Sequence, residues 1–277
     1  MSITRKAILI SSPVSTGTDL GTDKDVELWK NFLKSANGGC WKPRTEIKTF
    51  FSPTSQAVID YIRNLKVVYP KLDYVFLAYS GHGQNGTSGD VIFPFTNLTD
   101  ILPISNIKDE IELLDVKATI IIDACRLSSN PSSTISNNQQ RTNQSLPISN
   151  LNFRDSDAKP RLAYEWITSN IRMGSGVVLI QSCDKTEGSR MVEYSDIKCS
   201  LFTSELIRIG LTASNSMSIQ DAFSLAAVNT TTISTRIDPN RVQHPQISDS
   251  TVINAFCLGS SEIVQFESEE RSKFQNS

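Results

Sequence analysis

The feature that most constrains the fold is a strand, helix and second strand between residues 73 and 126. Residues 74–79 are β-branched and aromatic, which predicts a strand, and the following Ser-Gly-His-Gly can turn sharply at His82. Residues 118–122 predict a second, fully buried strand that leads into Asp-Ala-Cys-Arg and presents Cys125. Between them, Ile107, Ile111 and Leu114 recur on one face of a helix predicted over residues 104–114.

A helical crossover predicts that these two strands are parallel. Their carboxyl ends then lie at the same edge of the sheet, where open α/β folds place their sites. His82 and Cys125 can therefore meet, although they are far apart in the chain. A thiol is a strong nucleophile as the thiolate, and a neighbouring imidazole can remove its proton or stabilise the anion. The pair predicts a cysteine hydrolase.

The rest of the first 126 residues repeats the same alternation. Residues 7–10 and 46–51 predict strands. One helix is predicted after Thr22, and another begins at Ser52-Pro53 with proline at its first position. The resulting β-α-β-α-β-α-β order predicts an α/β fold in which helices cover the faces of a parallel sheet.

Composition limits the class of protein. The chain has 277 residues, of which 39% are hydrophobic, so it can form a packed core. Its net charge is −2, and without a basic run we expect no nucleic-acid partner. No apolar run is long enough for a membrane span, and the N-terminus leads directly into a strand. Five scattered cysteines without metal-ligand spacing suit a reducing compartment, which predicts a cytoplasmic protein.

The two motifs carry a resemblance to a known family. Tyr-Ser-Gly-His-Gly at residues 79–83 and Ile-Asp-Ala-Cys-Arg at 122–126 resemble the caspase and metacaspase superfamily, peptidase C14 of clan CD. Caspases have Gln-Ala-Cys-x-Gly with a histidine about 50 residues upstream. Here Asp123 replaces the glutamine, which resembles the Asp-x-Cys of metacaspases and their bacterial relatives, and Leu127 replaces the glycine.

The resemblance implies one caspase-like domain, a three-layer α/β/α sandwich with a mostly parallel sheet of about six strands. Residues 1–126 would be the large-subunit-like half with the catalytic residues, and 161–277 the small-subunit-like half. Residues 127–160 are rich in Ser, Asn and Gln and predict a flexible linker. In this superfamily the linker is often cut by the enzyme itself, and Arg141 is our candidate cleavage site, although the segment could equally be a tolerated insertion.

The resemblance also assigns roles to individual residues. Cys125 would be the nucleophile and His82 the general acid and base, with an oxyanion hole formed by the backbone N–H groups of Gly83 and Cys125. In an extended chain Asp123 faces the same cleft as Cys125, so it would bind a basic P1 side chain in the S1 pocket. Ser80 and Asp25 would line the same pocket. The alternatives are that Asp123 caps a loop and that Asp25, like Asp23, caps the N-terminus of its helix.

Several other segments have expected roles. Cys183 also follows a predicted strand, at residues 177–182, and is interpreted as a structural or pocket-wall thiol. His244, beside a proline, is interpreted as structural. Residues 188–199 are expected to form a loop over the cleft, and residues 252–258 an edge strand. Ser218 and Asp221 have the spacing of a capping box.

Metacaspases often need calcium, bound by acids that follow the Gly-His-Gly loop. This chain offers only Asp90, Asp109 and Glu110 there, and it lacks an Asp-Glu-Asp run. Calcium prefers six to eight oxygen ligands, so the sequence predicts no tight calcium site and requires no cofactor.

The sequence thus predicts a cysteine endopeptidase that cleaves protein or peptide substrates after arginine or lysine. A CHAT-type peptidase of the same clan is one alternative, and a catalytically silent scaffold on the same fold is another. Both dyad residues are present, which disfavours the scaffold. The sequence is compatible with a monomer or a homodimer.

Overall fold

The computed structural model of the protein describes residues 3–13, 21–86, 89–94, 99–127, 162–165, 168, 176–194, 197–248, 253–265 and 268. The strands are β1 Arg5–Ser12, β2 Ile47–Phe51, β3 Tyr74–Gly81, β4 Gly83–Gly86, β5 Gly89–Ile92, β6 Leu102–Pro103, β7 Lys117–Asp123, β8 Val177–Gln181, β9 Met191–Tyr194, β10 Ile197–Ser200, β11 Met217–Ser218, β12 Gln246–Ile247 and β13 Ala255–Cys257. The main helices are α1 Thr22–Lys34, α2 Ser55–Val68, α3 Ile104–Glu112, α4 Leu201–Thr212 and α5 Ile219–Ile237.

The central sheet has six strands in the order β12-β8-β7-β3-β1-β2. All neighbours are parallel except β12, which runs antiparallel to β8. The predicted, mostly parallel sheet of about six strands is therefore confirmed. The strands β3 and β7 are direct neighbours, as the crossover through α3 predicted.

Two hydrophobic cores cover the two faces of this sheet, and alternate residues of each strand contribute to each core. In β1, Ala7 and Leu9 belong to the core beneath α1, α4 and α5, whereas Ile8 and Ile10 belong to the core beneath α2 and α3. All four are fully buried. Strands buried on both faces have near-continuous apolar sequences, which explains why they could be found in the sequence.

Three small sheets depart from the predictions. A three-stranded sheet, β4-β5-β6, follows the His82 turn and was not predicted. The segment predicted as a loop over residues 188–199 instead contains the antiparallel hairpin of β9 and β10, which buries Val192 and Cys199 on one side. The predicted edge strand near residue 255 is β13, but it pairs with β11 outside the central sheet. The edge strand beside β8 is instead β12, which has only two residues and no pattern to reveal it.

Helix boundaries differ slightly from expectation. The helix predicted to start at Ser52-Pro53 begins at Ser55, because Thr54 is the N-cap and accepts a hydrogen bond from the backbone of Ala57. Ser218 caps α5 by accepting a hydrogen bond from the N–H of Asp221, as the capping-box spacing predicted.

The linker lies almost entirely outside the described residues, as does the candidate cleavage site Arg141. Among the described residues, no helix combines the length and apolar character that crossing a membrane requires.

Candidate active site

The candidate site lies at the carboxyl ends of β3 and β7. The register pairs Ser80 of β3 with Asp123 of β7. His82 and Cys125 each lie two residues beyond this pair, so the two strands deliver the imidazole and the thiol to the same edge of the sheet. This is the arrangement that the strand–helix–strand unit predicted.

Gly83 brings the backbone after His82 against the loop that carries the thiol. A Cβ at residue 83 would lie 2.8 Å from the Cβ of Ala124 and 2.8 Å from the carbonyl oxygen of Cys125. Carbon atoms in contact are about 3.5–4.0 Å apart, so only glycine fits there. The hydroxyl of Tyr79 donates a 2.7 Å hydrogen bond to the carbonyl of His82 and so braces the turn.

Cys125 is partly buried, and its Sγ is a weak donor to the carbonyl oxygen of Ser189 at 3.9 Å. Burial raises the pKa of the Cys125 thiol, and the charge of Asp123 acts in the same direction. The Ser189 contact, the guanidinium of Arg241 and the backbone N–H of Cys125 itself oppose that rise in pKa. The resting cysteine is therefore a thiol that needs a base.

His82 is suited to act as that base. Burial lowers the pKa of its imidazole, so the ring is neutral at neutral pH and can accept a proton. Its Nε2 is buried and has no hydrogen-bond partner among the described residues. Buried polar atoms nearly always have partners, and the exceptions call for an explanation such as a catalytic role.

Asp25 lies in α1, fully buried beneath the edge of the sheet. Its Oδ1 accepts a 2.8 Å hydrogen bond from the backbone N–H of Ser200, and its Oδ2 accepts hydrogen bonds from the hydroxyls of Ser200, at 2.8 Å, and Ser80, at 2.5 Å. Asp25 lies in the first turn of α1, as predicted, but the hydrogen bonds to its carboxylate come from Ser80 and Ser200. Burial raises the pKa of this carboxyl to about 8, with a further contribution from the charge of Asp123.

Asp123 is the second buried carboxylate, with 2% of its surface exposed. Its Oδ1 accepts a 2.5 Å hydrogen bond from the hydroxyl of Ser189. Its Oδ2 accepts hydrogen bonds from the hydroxyl of Thr203, at 2.7 Å, and from the backbone N–H of Thr203, at 3.2 Å. Because Thr203 is in the first turn of α4, Asp123 caps that helix. The role of Asp123 in an S1 pocket stays a prediction.

The acids considered for calcium have other partners. Oδ2 of Asp90 accepts a 2.7 Å hydrogen bond from the guanidinium of Arg126, and Glu110 forms an ion pair with Arg63 on the surface. Asp109 is exposed on α3. Among the described residues, no group of three or more acids, histidines or cysteines could hold a metal. These acids do not fit a calcium site.

Arg126 ties together the segments that surround the nucleophile, a role that sequence reasoning missed. Its guanidinium donates to Asp90 and, at 3.0 Å, to the carbonyl oxygen of Cys183. Its backbone N–H donates to the carbonyl of Glu187 at 2.8 Å, and its carbonyl accepts from the N–H of Thr186 at 3.0 Å. The sequence shows an arginine directly after the cysteine, but the burial and the partners of this side chain become visible only in the fold.

The loop over residues 183–190 is held in place from the opposite side. Gln243 is fully buried, and its amide accepts a 3.0 Å hydrogen bond from the N–H of Arg190 and donates one of 2.7 Å to the carbonyl of Ser182. His244 binds the carboxylate of Glu187 through its backbone N–H and through Nδ1, at 2.8 and 2.6 Å. His244 thus has a structural partner in this loop.

Cys183, the other cysteine that follows a strand, is fully buried. Its Sγ donates to the carbonyl oxygens of Ala124 and Glu187 at 3.3 and 3.4 Å, and burial strongly raises its pKa. It forms part of the wall behind the nucleophile. Gly188 lies on the other side, where an added Cβ would be 3.7 Å from Sγ of Cys125.

Comparison with known proteins agrees with this geometry. The caspase-domain model of peptidase family C14 matches residues 4–257. The crystal structure of caspase-1 from Spodoptera frugiperda is similar in fold, with a TM-score of 0.59 and 14% sequence identity, covering 94% of this chain and 92% of that one. Comparison with curated protein sequences gave no significant match. Because the family model spans nearly the whole chain, the protein belongs to the caspase-domain family of peptidases.

Proposed function

We propose that the protein is a cysteine endopeptidase that cleaves protein substrates after arginine or lysine, with Cys125 and His82 as its catalytic dyad. The observation that carries this proposal is the register of Ser80 with Asp123. His82 and Cys125 each lie two residues beyond this pair. The buried carboxyl groups of Asp25 and Asp123, which would form an acidic pocket, lie at the same edge of the sheet. Membership of a peptidase family supports the same conclusion.

In the proposed reaction, the neutral imidazole of His82 takes the proton of the Cys125 thiol. The sulfur attacks the scissile carbonyl carbon, and the tetrahedral intermediate collapses to a thioester as His82 gives its proton to the leaving amine. His82 then takes a proton from water as the water oxygen attacks the thioester carbon. The second tetrahedral intermediate collapses, the C–S bond breaks to release the acid, and His82 returns its proton to the sulfur of Cys125. The lowered pKa of His82 supports this role, because the base must be unprotonated at neutral pH.

The oxyanion of each tetrahedral intermediate would be bound by the backbone N–H groups of Gly83 and Cys125. The close approach of residue 83 to the carbonyl of Cys125 supports the pairing of these two donors. Loss of one such donor in other enzymes lowers kcat by about 100- to 1,000-fold.

The preference for a basic P1 residue rests on Asp123 and Asp25. Both carboxyl groups are buried behind the nucleophile, and neither forms an ion pair with a described lysine or arginine. An entering guanidinium can make two parallel hydrogen bonds to one carboxylate, and an ammonium can make one. A pocket of this charge would reject the aspartate side chain that caspases prefer.

Self-processing within residues 127–160, with Arg141 as the candidate site, remains part of the proposal. It follows from the same specificity, since Arg141 is a basic residue within that linker. Mass spectrometry of the purified chain and of its Cys125→Ala variant tests it: a cut after Arg141 in the active protein alone supports self-processing.

The test of the function uses fluorogenic peptides ending in Arg, Lys or Asp, with and without calcium. We expect cleavage of the Arg and Lys peptides, independent of calcium, that is lost in Cys125→Ala and retained in Cys183→Ala. The second variant is the matched control, because it removes the other thiol that follows a strand of the same sheet. Cleavage that depends on Cys183, or that favours Asp, would contradict the proposal. Silence under all conditions would favour the scaffold.

A further inference from the structure

The acidic pocket of the proposed function would be formed by two buried carboxyl groups, those of Asp25 and Asp123. Asp25 has 0% and Asp123 has 2% of its surface exposed. Ser80 links them, because it is the register partner of Asp123 and its hydroxyl donates to Asp25. Register partners in adjacent strands point to the same face of the sheet, so the carboxyl group bound by Ser80 lies on the same side as that of Asp123. The charge of Asp123 accordingly adds to the rise in the pKa of Asp25.

The N-terminus of α4 compensates for only part of the negative charge that Asp25 and Asp123 would carry if both were ionised. It directs the backbone N–H of Ser200 to Asp25 and that of Thr203 to Asp123. A helix N-terminus carries roughly half an elementary positive charge, whereas two ionised carboxylates carry two negative charges. One carboxylate can be stabilised in this way, but a second one remains largely uncompensated.

No other described group supplies a positive charge. Within the described residues, neither Asp25 nor Asp123 has a lysine or arginine as an ion-pair partner. The other titratable groups that interact with these carboxyl groups are the thiols of Cys199, Cys125 and Cys183, whose pKa values are all raised, so all three are neutral at neutral pH. Arg241 acts on the Cys125 thiol, but within the described residues it forms no ion pair with either carboxyl group. The pocket must therefore reduce its own charge by holding a proton.

The hydrogen bonds indicate which oxygen holds that proton. Oδ1 of Asp25 accepts from a backbone N–H, which cannot reverse its direction. Among the described residues, the hydrogen-bond partners of Oδ2 are the hydroxyls of Ser80 and Ser200, and a hydroxyl can accept as well as donate. A proton on Oδ2 can thus be donated to either serine without loss of a hydrogen bond. The raised pKa of Asp25, about 8, agrees with this position.

We propose that the empty pocket holds one proton on Oδ2 of Asp25, and that this proton is released to solvent when a guanidinium or ammonium group enters. The O–H bond breaks, the carboxylate gains the negative charge, and the entering cation neutralises it. This inference rests on the proposed function, because it assumes that the pocket binds a basic side chain. It makes Asp25 the proton-linked acid of the pocket.

Isothermal titration calorimetry with agmatine, a guanidinium ligand without a scissile bond, tests the inference on the unaltered protein. Titrations in buffers of different ionisation enthalpy give the number of protons released. With a pKa of about 8, release should be close to one proton per ligand at pH 7, about half at pH 8 and close to none at pH 9.5. Binding at pH 7 without proton release would overturn the inference and leave the proposed specificity intact.

Two substitutions in α1 sharpen the test. Asp25→Asn removes the proton that can be released, so agmatine binding by this variant should release none. Asp23→Asn is the matched control: Asp23 lies two residues earlier in α1, is exposed, and should behave like the unaltered protein. Proton release that persists in Asp25→Asn would assign the proton to another group and overturn the inference.

Urea unfolding tests, in the absence of any ligand, whether Asp25 holds a proton in the folded protein. An acid whose pKa is raised on folding stabilises the fold at low pH, and this contribution is lost as pH rises through the folded pKa. Relative to Asp25→Asn, the unaltered protein should therefore lose stability between pH 6 and pH 9. A constant difference in stability across this range would overturn the inference. Failure to bind agmatine or to cleave basic peptides, with the pH trend present, would refute only the proposed function.

Discussion

The buried ion pair between Asp90 and Arg126 gives a sharp test of how the nucleophile loop is held. The two side chains are 15% and 7% exposed, and their charged atoms are 2.7 Å apart. Asp90→Asn removes the charge with almost no change in shape. The amide oxygen can still accept from Arg126 and from Gln181, while the new NH₂ group takes the position of Oδ1, which has no partner among the described residues.

The expected cost follows from the charge that is left behind. Removing one partner of a buried ion pair costs about 3–5 kcal/mol, because the other charge remains buried and uncompensated. Here Arg126 keeps a neutral acceptor at residue 90 and its bond to the carbonyl of Cys183, so we expect a smaller loss, about 2–3 kcal/mol. Because Arg126 adjoins Cys125, kcat should also fall, by about 10- to 100-fold.

Urea unfolding and peptide-cleavage kinetics measure the two effects. Glu110→Gln is the matched control, since it removes an acid–arginine pair on the surface, where the side chain of Arg63 is 55% exposed. That variant should not differ measurably in stability or kcat. If Asp90→Asn and Glu110→Gln proved equally mild, the buried pair would not be holding the nucleophile loop, and our interpretation of Arg126 would be wrong.

Three further predictions concern the dyad and the loop that covers it. Gly83→Ala should lower kcat by about 100-fold in steady-state assays, because the added Cβ would lie 2.8 Å from the carbonyl of Cys125 and displace an oxyanion donor. An unchanged kcat would contradict the role of the Gly83 N–H in the oxyanion hole. The acid limb of kcat against pH should lie below pH 6.5, since burial lowers the pKa of His82 and only the neutral ring accepts the thiol proton. Gln243→Ala should lower the free energy of urea unfolding by about 2–4 kcal/mol, because the N–H of Arg190 and the carbonyl of Ser182 lose their hydrogen-bond partner. A loss within experimental error would show that water replaces the amide.

The parts of the fold that could be predicted are those in which one local pattern decides the structure. The strands β1, β3 and β7 are buried on both faces, so the central residues of each are mostly apolar. The parallel pairing followed from the helix between β3 and β7, and it placed His82 and Cys125 at one edge. Side chains alternate along an extended chain, so the sequence also predicted that Ser80 and Asp123 point to the same side as His82 and Cys125.

The parts that could not be predicted depend on partners that are distant in the chain. Gln243 is an ordinary polar residue in a loop until folding brings it against residues 182 and 190. The strand β12 has only two residues, and its pairing with β8 depends on the path of the chain after α5. No periodic pattern in the local sequence indicates such contacts. The ion pair of Arg126 with Asp90 is of the same kind, because the sequence offered that acid as a calcium ligand instead.

The double role of Asp123 determines how its variants must be interpreted. The carboxylate caps α4 through Thr203 and also provides charge to the pocket, so Asp123→Ala would remove a helix cap together with the proposed specificity. Loss of activity in that variant would not distinguish the two roles. Asp123→Asn keeps a side-chain oxygen for the cap and removes only the charge, so weaker binding of basic ligands by a normally stable Asn variant would isolate the electrostatic role. The same reasoning favours Asp25→Asn over Asp25→Ala, because Asp25 accepts a hydrogen bond from the backbone N–H of Ser200, the N-cap residue of α4.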